Sequence, residues 1–216
     1  MRTLMFGLLW AVLPATGQPA GAPIAPIELY TQFQPQQQPP AEILEAVRNE
    51  VETIMAPTGL HFEWRAIAGV RGDEVSVELA VITFKGRCNL DGLPQSEGGY
   101  MGALGWTHVS DGVILPFTDI DCDGIRRFLR HGLMQVNPKS RSMAYGRAIA
   151  RVLTHELYHI FADTKRHASE GVGKPAYTAR ELLEEDFRFG EIEAHALRTS
   201  KIHTVLENAA AGDSSR

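Results

Sequence analysis

The segment from Ser142 to Ala162 constrains the fold of this chain more than any other. Ile149, Val152, Leu153, Leu157, Ile160 and Phe161 recur there at a 3.6-residue period, which predicts one long helix. That helix carries Thr154-His155-Glu156-Leu157-Tyr158-His159. Two histidines four apart lie one turn from each other on one face, with Cβ atoms about 5–6 Å apart. Their imidazoles can converge on one zinc ion, at about 2.0–2.1 Å each. Glu156 is rotated about 100° from His155, too far to be the natural third ligand on that face. It is placed instead to take a proton from an attacking water and pass it to a leaving amine.

Such a site needs a third protein ligand and an open position. His167 is the leading candidate, because it follows His159 by eight residues, where the helix should end and the chain can fold back. Glu181, Glu184 and Glu185 are rivals at a plausible distance along the chain. Asp163 shares the helix face, but one further turn adds about 5–6 Å along the axis, which suits it better to capping or orienting. Lys174 and Tyr177 lie in the same Gly-rich loop as His167. Either could stabilise an oxyanion, or be an ordinary surface lysine and a packed aromatic. His61, His108, His131, His195 and His203 are read as structural or exposed, with Glu193 and His195 able to support the site from the last helix.

The remaining elements follow from periodicity and breakers. Ile27–Phe33 reads as a first strand, and Ile43 to Met55 as a helix stopped by Pro57-Thr58-Gly59. Leu60–Ile67 reads as a second strand, and the alternation from Val75 to Val81 as a third. Gly86 to Trp106 reads as a long loop, and Val113–Phe117 as a short strand that Pro116 demotes to an edge or strand end. Helices are expected over Ile125–Val136, Ala179–Phe187 and Glu191–Leu206, with a loop from His167 to Thr178. No linker or repeat divides the chain, so the fold class is α+β in one domain, over about residues 27–206.

Arg2, the apolar run Leu4–Leu13, Pro14 and the small residues Ala15, Thr16 and Gly17 have the layout of a cleavable export signal over residues 1–17. The run is shorter than the roughly 20 residues of a membrane span. Secretion or a periplasmic location is the expectation. Cys88 and Cys122 are the only cysteines, and in an exported chain they are expected to form one disulfide. The net charge of -5 argues against a nucleic-acid-binding protein. Arg126, Arg127 and Arg130 are read as a solvated helix face rather than a phosphate site.

The motif HELYH, a strand-rich half before it and a histidine soon after resemble the zincin superfamily of metallopeptidases, in particular its metzincin branch. The pattern there is H-E-x-x-H-x-x-G-x-x-H. His155 and His159 match its first two zinc ligands and Glu156 its general base. Ala162 stands at the glycine position, Lys165 at the third histidine, and His167 comes two residues late. The downstream methionine turn is missing, since the last methionine is Met143. The resemblance implies a zincin-like fold, with a small mixed N-terminal sheet, a backing helix, the active-site helix and C-terminal helices. It also implies a zinc-dependent peptidase, an endopeptidase rather than an exopeptidase, whose sheet edge holds an extended substrate. The alternatives are an inactive binding module on that fold and a structural zinc protein. The expected partner is a peptide or protein substrate, with no nucleic acid and no stable membrane insertion, for a chain acting as a monomer.

Overall fold

A computed structural model describes residues 25–35, 37–72, 76–92 and 100–213. The expected export signal and Val75 lie outside them. The chain runs β1 (Ala25–Phe33), α1 (Ala41–Met55), β2 (Glu63–Ala66), β3 (Ser76–Lys85), β4 (Gly105–Ser110), β5 (Val113–Asp121), α2 (Cys122–Gln135), α3 (Arg141–Phe161), α4 (Ala179–Leu183), α5 (Glu191–Arg198) and α6 (Lys201–Asp213). The strands form a five-stranded sheet in the order β2-β1-β3-β5-β4. All neighbours are parallel except β4, which runs antiparallel to β5 at the edge. The architecture is therefore mixed α+β with a mostly parallel sheet.

Ile27, Leu29, Ile82 and Ile120 of the sheet share one apolar core with Val47 and Val51 of α1 and with Ile149, Leu153 and Leu157 of α3. The two helices meet at Gly146, where a Cβ would stand 2.7 Å from both Ala46 Cβ and the Ile43 carbonyl oxygen. Only a glycine permits that approach.

The 3.6-residue period led to an ordinary packed face, but α3 is buried all round: every residue from Ala148 to His159 is enclosed. Arg151 explains how a charge is accommodated there. Its guanidinium is fully buried, and Nε donates to Glu50 at 2.7 Å. The other nitrogens donate to the main-chain oxygens of Glu181, Glu184 and Glu185. A buried charge needs such complete pairing. The same bonds shorten α4. A helix over Ala179–Phe187 was expected, yet the carbonyls that would continue it turn to Arg151 and it ends at Leu183.

Other boundaries moved for local reasons. The stretch ending at Trp106 was expected to be loop, but Gly105 and Trp106 begin β4. β5 extends to Asp121 and is not an edge strand, because Phe117–Asp121 pairs with β3 while β4 flanks its other side. Pro116 falls where the β4–β5 register slips, between Thr107 and Val109, a place that needs no ladder donor. The last helix is broken into α5 and α6 at Thr199 and Ser200, whose hydroxyls bond back to the His195 and Leu197 carbonyls. Arg126 is not part of a solvated face. It is buried and holds the Asp91 carbonyl at 2.9 Å and Asp123 at 3.1 Å.

Cys88 and Cys122 are disulfide-bonded with Cα atoms 4.9 Å apart, joining the segment after β3 to the start of α2. No helix among the described residues is long and apolar enough to cross a membrane. The bridge closes a loop with a sequence separation of 34. Replacing both cysteines by alanine should therefore cost about 3–4 kcal/mol by chain entropy. Urea unfolding of the two forms measures it, and an unchanged midpoint would contradict the account.

Candidate metal centre

His155 and His159 leave α3 on one face, and two main-chain carbonyls fix their tautomers. His155 Nδ1 lies 2.8 Å from the Val172 oxygen, and His159 Nδ1 lies 2.7 Å from the Thr164 oxygen. A carbonyl oxygen only accepts, so each Nδ1 carries the proton and each Nε2 presents a lone pair. Those two Nε2 atoms stand 3.1 Å apart. Two acceptors at that distance repel unless a cation lies between them. Tetrahedral coordination at about 2.0–2.1 Å would itself set ligand nitrogens roughly 3.3 Å apart. His167 completes the group: one ligand atom from each of the three histidines lies within 4.8 Å of the others. The His167 ring centroid is 5.2 Å from that of His155 and 4.9 Å from that of His159. His155 and His159 are buried, whereas His167 is exposed and free to adjust. The three histidines could hold a metal ion.

The chain reaches this arrangement through two turns. Two residues past the end of α3 comes Asp163, a non-glycine residue at φ 47, a conformation that Asp tolerates. The reversal turns the Thr164 carbonyl to His159 and brings the chain back to His167. Further on, Gly171 has φ +64, and a Cβ there would stand 2.4 Å from the Arg188 oxygen. Val172 N donates to that same oxygen at 3.0 Å, which fixes the carbonyl that holds His155. Glu193 of α5 is buried behind this turn, with Cγ 2.9 Å from where a Gly173 Cβ would be.

The rival ligands are placed elsewhere. Asp163 faces Lys201 at 3.4 Å. Glu181 completes a capping box with Thr178 and pairs with Lys174, which also occupies that lysine. Glu184 pairs with Arg180 at 2.8 Å, and the Glu185 carbonyl serves Arg151. Tyr177 is a packed aromatic whose hydroxyl donates to the Val172 oxygen and lies 2.9 Å from His155 Nδ1. Among the other histidines, His61 pairs with Glu52, His108 with Asp119, and His203 with the Thr58 carbonyl.

Glu156 sits beside the triad, only 6% exposed. Thr107 Oγ1 of β4 donates to its Oε2 at 2.8 Å. Burial pushes the Glu156 carboxyl up to about 7, against the opposing pull of the Thr107 bonds. Burial likewise pushes His155 down to about 4, the Val172 bond opposing and the neighbouring histidines reinforcing it; it lowers His159 too. The triad and Glu156 open on a cleft of about 470 Å³, lined on one side by Leu104, Phe128 and Val152 and on another by Lys165. Thr107 was invisible to sequence reasoning, since a lone threonine after a Gly-rich stretch matches no motif. Gly105 was the only signal, and it read as loop.

Comparison with known protein families, curated proteins and solved structures finds no significant match to this chain.

Two outcomes follow from the geometry. If the triad holds a divalent metal ion, His167→Ala should weaken its binding by more than about tenfold, whereas Glu184→Ala should leave it unchanged, as competition with a fluorescent chelator would show; the reverse result would move the third ligand to α4 or its neighbourhood. In the metal-free protein His155 is held neutral with a pKa below its unfolded value. Its contribution to stability is therefore complete above about pH 6.5, the unfolded value, and is lost as pH falls toward about 4. Thermal melts of the metal-free protein across that window check the sign.

Proposed function

We propose that this chain is an exported, zinc-dependent metallopeptidase of zincin type that hydrolyses internal peptide bonds. The observation that carries the reading is the pair of Nε2 lone pairs 3.1 Å apart, with His167 beside them and a buried carboxyl at Glu156. Three imidazoles without a carboxylate suit zinc better than the oxygen-seeking magnesium or calcium. No fourth His, Cys, Asp or Glu joins the group among the described residues. That favours a site with an open position over a structural one closed by four protein ligands.

Zinc held by these residues would polarise the scissile carbonyl and make water nucleophilic near neutral pH. The chain's own groups do the rest. Glu156, buried beside the triad, is placed to accept a proton from the attacking water and return it to the leaving amine. The Val172 and Thr164 carbonyls keep both Nε2 atoms aimed at one point while charge develops. Strand β4 ends the sheet and lines the cleft. An extended peptide can add to its outer edge through main-chain bonds, which places a peptide bond over the triad. Leu104, Phe128 and Val152 offer apolar contact beside it.

The disulfide and the signal-like N-terminus support export, to the periplasm or beyond the cell. The reading is tested with purified protein, measuring zinc per chain and turnover of a broad fluorogenic peptide library. Glu156→Gln should keep its zinc and lose about 10²- to 10⁴-fold in turnover. Zinc-loaded protein inert toward every peptide would leave the binding-module alternative. Turnover that survived Glu156→Gln would remove the mechanism.

A further inference from the structure

Thr107 tethers the Glu156 carboxylate. Oε2 accepts from Thr107 Oγ1 at 2.8 Å, and the same hydroxyl lies 3.1 Å from the Glu156 main-chain oxygen. The Thr107 main chain adds a second hydrogen bond to the same carboxylate, and both bonds favour its charged form. The tether comes from β4, the strand that borders the cleft, and not from a neighbour on α3. It is possible because β4 and α3 nearly touch: a Cβ on Gly105 would stand 2.9 Å from Val152 Cγ1 and 3.2 Å from Glu156 Cγ. Gly105 and Thr107 are two apart on one strand, so they share the face turned to α3. The glycine admits the close approach, and the threonine uses it.

We infer that Thr107 is a positioning residue for Glu156, its hydroxyl holding Oε2 to the edge strand so that the carboxylate meets the reacting water in one orientation. The inference rests on the peptidase reading. Glu has three side-chain torsions, and a short buried bond to one oxygen selects among the rotamers before substrate arrives. Because the donor sits on the strand that would pair with substrate, the base and the substrate backbone are referred to the same element. A movement of β4 relative to α3 shifts both together. The contact does not build the metal site, whose tautomers are set by Val172 and Thr164. Loss of the hydroxyl should therefore leave zinc in place and impair the proton transfer.

Thr107→Val keeps the shape of the side chain and removes the donor; Thr107→Ser keeps the donor. The valine variant should hold wild-type zinc stoichiometry and melting temperature, with KM little changed and kcat down about 10- to 100-fold. The serine variant should restore kcat to within about threefold. A readout apart from turnover is the affinity of a peptide hydroxamate, which chelates the metal and hydrogen-bonds to the Glu156 carboxylate. Thr107→Val and Glu156→Gln should each weaken it, and the double variant should be no worse than Glu156→Gln alone, as expected for one coupled unit. Should the valine variant not fold, Thr107→Ala carries the same comparison. If Glu156→Gln abolishes turnover while the valine variant matches wild type in kcat and hydroxamate affinity, the tether is wrong and the peptidase reading stands. Zinc loss or a lowered melting temperature that serine does not rescue makes Thr107 merely structural and overturns the inference. A wild-type protein without turnover, or an active Glu156→Gln, removes the reading and the inference with it.

Discussion

Two main-chain carbonyls decide what the histidines of α3 can do. An imidazole four residues from another is only a pair of rings on a helix until something selects a tautomer and a rotamer for each. Here the Val172 and Thr164 oxygens take the Nδ1 protons at 2.8 and 2.7 Å, leaving both Nε2 lone pairs facing each other. The arrangement is unfavourable by itself and becomes favourable with a cation. The loops after α3 supply both carbonyls. Asp163 reverses the chain in a left-handed conformation, and Gly171 lets the Val172 turn lie against Arg188. Tyr177 adds a second donor to the Val172 oxygen, so this carbonyl is held by two side chains.

The same requirement explains why so much polar chemistry is buried at the centre of the molecule. Burying charged groups is costly unless each is paired. Arg151 is paired with Glu50 and with carbonyls after α4, four residues before His155 on the same helix. Its bonds fix the segment from Glu181 to Glu185, which follows directly on the loop carrying Tyr177. The end of α3 that carries the two histidines is thus supported by its own preceding turn. His155 and Glu156 are among the groups whose burial is incompletely offset. Their pKa values are displaced toward the neutral forms, to about 4 and about 7. Strongly perturbed groups in a cleft mark a candidate functional site.

Much of this was legible in the sequence, and the limits have physical causes. The α3 helix, its histidine pair and the return to His167 were readable because spacing along one helix maps directly onto space. The α1 helix and the alternating strand β3 were readable from period alone. Strand β4 was not: Gly105, which carries the loop signal, is there because α3 leaves no room for a side chain. Nor was the shortness of α4, because the residue that ends it, Arg151, is 30 positions away from Glu181. The choice between His167 and the glutamates depended on where Lys174, Arg180 and Thr178 direct those carboxylates, and no spacing argument could reach that. The burial of Arg126 against the Asp91 carbonyl, where a solvated face was expected, is the same failure in smaller form.

The antiparallel edge strand gives the architecture its functional logic. A fully parallel sheet would have to leave and re-enter through a crossover at its last strand, covering the edge or removing it from α3. The tight β4–β5 connection instead lays β4 directly beside β5 and over α3, with no further strand paired to its other side among the described residues. The price of an exposed edge is a site where foreign strands can pair. In this chain the liability coincides with the cleft that holds three histidines and a buried carboxyl. The register slip at Pro116 bends the far end of the hairpin, and it leaves the regular part of the ladder, Gly105 to Thr107, next to Glu156. The Thr107 hydroxyl donates to the buried Glu156 carboxylate from the strand that ends the sheet. A glycine and a threonine, neither of them part of any motif, thus bring this strand against the carboxyl of α3.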